Sequence, residues 1–399
     1  MPSNPFQNLP QGWEILPFSK CVNKISIKHK VKTKDYLKNG KYPIIDQAKD
    51  FISGYSNDEN LLINIKKPVI VFGDHTRCFK FIDFNFIAGA DGIKILSPID
   101  EFNEKLFYYF CLALKFEDKG YSRHYQFLEK TNINIPPLET QKAIVEKLEN
   151  AFAHIDEAVR HLKAVQTNIP RLKSSLLHCT FSGKLTESQN SSHKVQTLKK
   201  CVVGEEGETS ALPLHPLIKT EIPQGWEIKT LGEVCEFVYG KALNQTKRKT
   251  NGKYPVYAAN GIKDYSDEFM ISENSIIVGR KGSVGSVVLT SSPCWVLDVA
   301  YYVNFDKEKY NLVFLYHLLK YLNLKQFARG VKPGISRSQI YELQVVMPLL
   351  ATQNQIVQIL ESKFTHLDNL AQFVNASLEN LQRLKSSLLN QAFKGELIC

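Results

Sequence analysis

The stretch PPLETQKAIVEKLENAF (136–152), closed by RLKSSLLHCTF (171–181), decides the fold because it occurs twice. Near the C-terminus the chain reads MPLLATQNQIVQILESKF (347–364) and then RLKSSLLNQAF (383–393). Gln141 answers to Gln353 and Leu172 to Leu384, and both pairs are 212 residues apart. Two further phrases extend the repeat over each half of the chain. LPQGWEI from Leu9 returns as IPQGWEI from Ile222, and NGKYPII from Asn39 returns as NGKYPVY from Asn251. A unit of about 200 residues is too large for a solenoid repeat and predicts a duplicated domain plus helix.

The repeated segment keeps the 3-4 spacing of a helix that buries a narrow seam. In the first copy the seam is Leu148, Phe152, Ile155, Val159, Leu162, Ile169, Leu172 and Leu176. In the second it is Leu360, Phe364, Leu367, Ala371, Val374, Leu378, Leu381, Leu388 and Ala392, with one lapse at Lys385. Roughly 40 residues at ~1.5 Å each make a rod of ~60 Å. Pro170 lacks an amide donor and should kink the first rod; Gln382 stands at the matching place in the second. A lone helix of this kind would leave its seam in water. The duplication supplies a partner, and the two helices are expected to pack as an antiparallel coiled coil; the alternatives are packing on their own domains or an intermolecular dimer.

Outside the rods the pattern is mixed. PVIVF (68–72) and GIKIL (92–96) read as strands, and LFYYFCLALKF (106–116) as a helix. SIIVG (275–279), SVVLT (286–290), AYYVNF (300–305) and LVFLYHLLKYL (312–322) repeat that plan. The polar stretch after Phe181 reads as an exposed linker. The expected organisation is a variable domain over 1–135, a helical spacer over 136–181, a linker over 182–217, a second variable domain over 218–346 and a second spacer over 347–399. The fold class is α+β: two duplicated α/β domains separated by two long helices, with pseudo-twofold symmetry.

The 399 residues carry 50 Lys and Arg against 40 Asp and Glu, a net charge of +10, which suits a polyanion partner without requiring one. No apolar run approaches the ~20 residues needed to span a bilayer, and a cytoplasmic location is expected. The eight cysteines never fall as CxxC and no His pair has zinc-finger spacing, so no metal is expected. A phosphate loop GxxxxGK[ST], a GxSxG elbow, HExxH and the [DN]PP[YF] of adenine methyltransferases are all missing, so no catalytic residue is assigned.

Polar clusters at matching places are the candidates for contact with DNA. KGYSRHYQFLEKTNI (119–133) and RGVKPGISRSQIYEL (329–343) precede the two rods. They offer Tyr121, Ser122, Arg123, His124, Tyr125 and Gln126 in one copy, and Lys332, Ser336, Arg337 and Gln339 in the other. Arg and Lys pair with guanine, Gln with adenine, and Ser with phosphate; a solvated loop is the alternative. HTRCFK adds His75, Thr76, Arg77 and Lys80, which read bases or cover a strand end. Lys247 and Arg248 sit in a basic loop suited to phosphate. GRKGSVG (279–285) reads first as a tight strand-to-strand turn, from which Arg280, Lys281 and Ser283 can project towards a DNA backbone.

The ordered combination of PxGWE, a variable domain, P(P/L)LxxQ, a heptad helix and LKSSLL followed by F-x-G-x-L, all present twice, resembles the specificity subunit of a type I restriction–modification system. The resemblance covers the chain from about Leu9 to Leu397. It implies a subunit without catalysis of its own, whose two target-recognition domains each bind half of a split, asymmetric site on double-stranded DNA. It implies that two modification subunits, which bind S-adenosylmethionine and methylate adenine, dock on the helical parts, and that restriction subunits join them. No cofactor is expected in this chain. Half-sites about one helical turn apart, ~34 Å, suit a ~60 Å rod. A related system with fused methyltransferase and nuclease, or a coiled-coil scaffold without DNA reading, are the competing expectations.

Overall fold

The computed structural model describes residues 10–89, 92–114, 123–182, 222, 224–291, 293–331 and 333–397. The expected linker lies outside these residues from 183 onward. The chain forms two compact units, residues 1–163 with 375–399, and residues 164–374. The division falls inside the two long helices. Each unit therefore holds a globular domain, the first part of the helix that follows it, and the last part of the helix from the other copy.

The first unit runs β1 (Glu14–Pro17), α1 (Phe18–Cys21), β2 (Val22–Ile25), β3 (Tyr42–Ile45), β4 (Gly54–Ser56), β5 (Leu62–Ile63), β6 (Val69–Gly73), β7 (Phe79–Ile82), β8 (Phe86–Ala88), β9 (Ile93–Pro98), α2 (Glu104–Ala113), α3 (Tyr125–Leu128) and β10 (Asn132–Ile135), then enters α4 (Leu138–Phe181). Its sheets have the orders β2-β9-β6-β7 and β4-β3-β8-β5. The apolar run of β6 is buried along its whole length, as a central strand covered on both faces should be. The strand after PxGW closes on the strand before the long helix, Glu14 opposite Ile135.

The second unit repeats the plan: β11 (Trp226–Thr230), α5 (Leu231–Val234), β12 (Glu236–Tyr239), β13 (Tyr254–Ala258), β14 (Gly261–Ser266), β15 (Ile276–Gly279), β16 (Val287–Leu289), β17 (Trp295–Val296), β18 (Ala300–Asn304), α6 (Leu312–Tyr321), α7 (Arg337–Tyr341), β19 (Gln344–Pro348) and α8 (Leu350–Lys394). Its sheets are β12-β18-β15-β16 and β14-β13-β17, and β11 closes on β19 with Trp226 opposite Pro348.

The two helices run antiparallel within one chain. In the first unit Lys385 Nζ meets Asp156 at 2.9 Å, and in the second Lys173 Nζ meets Asp368 at 2.5 Å. The register is the same, since 173 − 156 and 385 − 368 are both 17. The seam is the one the heptads predict: Leu148, Phe152, Ile155, Leu360, Val374 and Ala392 are buried, whereas Phe373 and Leu384, off the seam, are 67% and 47% exposed. Lys385, the lapse in the pattern, is accommodated by its ion pair and by lying 4.7 Å from the centre of the Phe152 ring. Helix α4 continues through Pro170 without interruption, and Ile169 just before it stays buried.

Each core is completed by the end of the other copy's helix. Phe393 lies 5.3 Å from the Phe110 ring, and Asn134 Nδ2 donates to the Phe393 carbonyl at 3.1 Å. Helix α8 ends on Gly395 at φ 78, where a Cβ would stand 2.2 Å from Pro10 of the first PxGW. In the second unit Phe181, closing α4, stacks on Tyr321 at 5.2 Å and shares a core with Trp226 of the second PxGW.

One side-chain amide ties each long helix to its domain. Gln141, buried, accepts from the Asn103 amide at 2.7 Å and donates to the carbonyls of Glu101 at 2.8 Å and Pro136 at 2.9 Å. Gln353 repeats all three bonds, with the Asn311 amide at 2.9 Å and the carbonyls of Lys309 at 3.0 Å and Pro348 at 2.8 Å. Asn103 and Asn311 are themselves the N-caps of α2 and α6.

Replacing Gln353 with Leu strands an amide and two carbonyls in a buried place, at about 1–3 kcal/mol for each group left unpaired. The expected outcome is a loss of at least about 2 kcal/mol in urea unfolding; unchanged stability would mean that water takes over the bonds. His317 on α6 gives a second expectation. Burial, then the neighbouring Lys320, push its pKa from 6.5 down to about 4. Above pH 6.5 the imidazole is neutral both folded and unfolded; as pH falls towards 4 the unfolded chain takes up a proton that the folded one refuses, and stability drops by up to about 3 kcal/mol. A His317→Leu variant should show a shallower loss of melting temperature between pH 6.5 and 4.5 than the parent.

Candidate nucleic-acid interface

The turn between β15 and β16 is the GRKGSVG loop, a tight strand-to-strand turn in which Gly285 at φ 74 lies so near the Lys325 backbone that a Cβ would meet it at 2.3 Å. The RGVKPGISRSQ segment ahead of α7 lies beside it. Lys281 and Arg329 each form a bridge with Gly334, and the Ile335 amide donates to the Arg280 carbonyl at 3.3 Å. Two clusters 50 residues apart in sequence thus become one surface, with Val331 fully exposed at its tip.

Three side chains stand at its centre. Arg280 donates from Nε and Nη2 to the Asp298 carbonyl at 3.1 and 2.8 Å, and Arg337 donates from Nη1 to the Phe237 carbonyl at 3.0 Å. Both guanidinium carbons lie over Tyr239, 5.1 and 4.6 Å from its ring centre. Tyr239 is 45% exposed and packs on Tyr301 at 5.0 Å. The Tyr301 phenol, pushed up to about 12 by burial first and by Tyr239 second, stays protonated and donates to the Ile335 carbonyl at 3.0 Å. The group borders an open cleft of about 510 Å³ that includes Glu236, Ser336, Ser338 and Tyr341. Ser336 Oγ is 2.8 Å from Ser338 Oγ, while Lys281, Ser283 and Gln339 are exposed nearby.

The basic loop at 240–253 is different, because its central cations, Lys247, Arg248 and Lys249, are already matched. Lys247 pairs with Glu268 at 2.7 Å, Lys249 pairs with Asp267, and Arg248 donates to the Leu243 carbonyl at 3.1 and 2.9 Å with Asp264 at 3.8 Å. Among the described residues no carboxylate lies within 4.0 Å of Arg280 or Arg337.

The first unit brings together the equivalent elements with other chemistry. The turn from β6 to β7 carries HTRCFK, and Arg77 adopts φ 62 there. Asp74, buried at its start, accepts the Tyr125 amide on its carboxylate at 2.8 Å and the His124 amide on its carbonyl at 3.0 Å. The turn is thereby tied to the segment entering α3. His124 and Tyr125 are consequently buried, whereas Arg123 and Gln126 are exposed, Gln126 donating to the Arg123 carbonyl at 3.2 Å. Lys24 and Lys94 lie 4.5 and 5.8 Å from the centre of the Tyr125 ring, and Lys24 pairs with Glu129 at 2.6 Å. Exposed Thr76 donates to the Gln47 carbonyl at 2.6 Å, and the half-buried His75 faces the same Gln47 through its amide at 3.4 Å. Lys80 is buried on β7 and donates to the Asp50 carbonyl at 2.5 Å, with Asp46 at 4.0 Å; burial pushes its pKa down against the pull of Asp46. Tyr121, Ser122 and Lys332 lie outside the described residues.

Tyr239, Lys24 and Lys94 were not among the candidates that the sequence offered. Tyr239 had one signal, an aromatic at the end of a strand next to Gly240, where a core position is not required.

Comparison with known proteins accords with this duplicated architecture. The family described as type I restriction modification DNA specificity domain matches residues 10–165 and again 223–380. The EcoBI type I specificity subunit of Escherichia coli is 23% identical over 331 residues, covering 76% of this chain and 68% of its own length. The EcoR124I/EcoR124II specificity subunit of Escherichia coli is 24% identical over 374 residues, covering 86% and 84%. A chain solved in work on complex assembly and conformational transition of the type I R-M system superposes with a TM-score of 0.69 at 16% identity, covering 98% of this chain and all of that one. Two matched copies that together take in most of the sequence place the chain in the type I restriction–modification DNA specificity family, as a specificity subunit with two target-recognition domains.

Proposed function

We propose that this chain reads a two-part, asymmetric target on double-stranded DNA, one half with each unit's paired loops, while its long helices dock two modification subunits and, through them, restriction subunits. The observation that supports it best is the matched placement of unlike loops. In both units a β-hairpin turn is hydrogen-bonded to the segment before a short helix, yet one presents Arg280 and Arg337 and the other Arg77 and Arg123. Equivalent scaffolds with different side chains suit two different half-sites.

On this reading the chain is non-catalytic. Arg123, Gln126, Thr76, Arg77, Lys281, Ser283, Ser336, Arg337 and Gln339 face the DNA with Arg280, and Tyr121, Ser122 and Lys332, outside the described residues, are assigned the same role by residue type alone. Lys80, His124 and Tyr125 brace the loops from within, and Lys247 and Arg248 reach phosphate only by exchanging their internal partners. Methylation of adenine needs a base flipped into a pocket and S-adenosylmethionine, and both are the work of the modification subunit. Among the described residues no cluster of His, Cys, Asp or Glu could hold a metal ion, and no helix is long and apolar enough to cross a membrane. A cytoplasmic complex on DNA accords with that.

Mapping methyladenine in cells that carry the modification gene, with this reading frame intact or deleted, is the direct test. One two-part motif should vanish on deletion; an unchanged methylome with active modification subunit present would refute DNA reading. Exchange of residues 1–135 for those of a relative should alter one half of the motif and spare the other. A change in both halves would defeat the assignment of one half-site to each unit.

A further inference from the structure

We infer that Arg280, Tyr239 and Arg337 form the base-reading element of the second target-recognition domain, and that its ligand is the major-groove edge of a guanine. The inference deepens the proposed function and rests on it.

Three observations separate this cluster from a generic basic patch. Its charge is available: Lys247 and Lys249 of the neighbouring loop are paired with Glu268 and Asp267, whereas neither arginine has a carboxylate within 4.0 Å among the described residues. Its geometry is set beforehand. Arg280 spends Nε and one Nη2 hydrogen on the Asp298 carbonyl, and Arg337 spends one Nη1 hydrogen on the Phe237 carbonyl, while both guanidinium carbons lie over the Tyr239 ring at 5.1 and 4.6 Å. The remaining N–H donors point from fixed forks. A flexible cation suffices for phosphate, but a bidentate contact with guanine O6 and N7 needs a guanidinium held in plane. Its position is also one built for projection, on two loops joined by backbone bonds between residues 280–281 and 334–335.

The first unit sharpens the contrast. There Tyr125, which matches Arg337 by the 212-residue offset, is buried with Lys24 and Lys94 beside its ring, and Lys24 is already paired with Glu129. A buried tyrosine in place of Arg337 offers no planar fork, so the two units are not expected to share a guanine contact.

The test uses the full chain assembled with its modification subunit. The parent's motif is first mapped by methylation, and R280A, R337A, R337K and Y239A are then mapped and titrated against duplexes with each base pair substituted in the second domain's half-site. A K247A/K249A double variant is the control. R337K keeps the charge and guards against misfolding. The expected result is that one or two G·C positions of that half-site become tolerant of other bases in R337A, R337K and R280A. Affinity for the parental site should fall roughly 5- to 150-fold, the span of one lost bidentate pair, with the other half-site unchanged. Y239A should relax the same positions, because it frees both forks. An even loss across all sequences, with the motif intact in R337K, would make the arginines phosphate contacts and overturn the proposal. So would an unchanged motif and affinity in all four variants. A parent complex that marks no motif at all would overturn the proposed function, and this inference with it.

Discussion

A single buried side-chain amide holds each long helix to its domain, and the remaining architecture depends on it. A helix entered straight from a strand has free amides at its start, and the chain leading into it has carbonyls to satisfy; here these groups lie beside those leading into α2 or α6. Gln141 and Gln353 each join three backbone strangers: the N-cap of the domain helix, the carbonyl two residues before it and the proline carbonyl at the strand end. An apolar residue could fill the space but would satisfy none of these groups. The amide makes the angle between domain and helix a property of hydrogen-bond geometry rather than of a flexible hinge. Slack at that joint would be slack between each helix and its own domain.

The helix ends impose the second constraint. Each core lacks a wall until the other copy's helix supplies it, with Phe393 against Phe110 and Phe181 against Phe314 and Tyr321. The PxGW phrases belong to the same arrangement, since Pro10 meets Gly395 and Trp226 shares a core with Phe181. This explains why the opening and closing phrases of the repeat return together. They are two faces of one contact, made between copies and not within one. Neither copy by itself contains both faces of its own core, so each core needs the helix end of a second copy.

Much of this was legible in the sequence because it is periodic or repeated. The heptads marked the seam, and the constant offset marked the second copy. Gln141 and Gln353 were visible as markers of register, but their bonds to the domain were not, because two of the three partners of each lie about 40 residues upstream in a variable stretch. Loop chemistry was readable by residue type alone. His124 and Tyr125 look like polar loop residues, and only the buried carboxylate of Asp74, some fifty positions away, draws them inward. Lys247 and Lys249 look like free charge until β14 is paired with β13 and brings Glu268 and Asp267 alongside. Tyr239, Arg280 and Arg337 come from three segments that no local pattern connects. Their association is a consequence of sheet order, with β12 and β15 both flanking β18.

Sheet order also bears on how such a chain can change its target. A substituted first domain would have to present an aromatic where Phe110 meets Phe393, a donor where Asn134 meets the Phe393 carbonyl, and the N-cap amide that Gln141 accepts. None of these positions lies on the hairpin turn or the segment before α3. The residues that must be kept and those free to vary are therefore different residues on the same domain. A scaffold of that kind can change the side chains of its hairpin turn and of the segment before α3 without disturbing its hold on the helix.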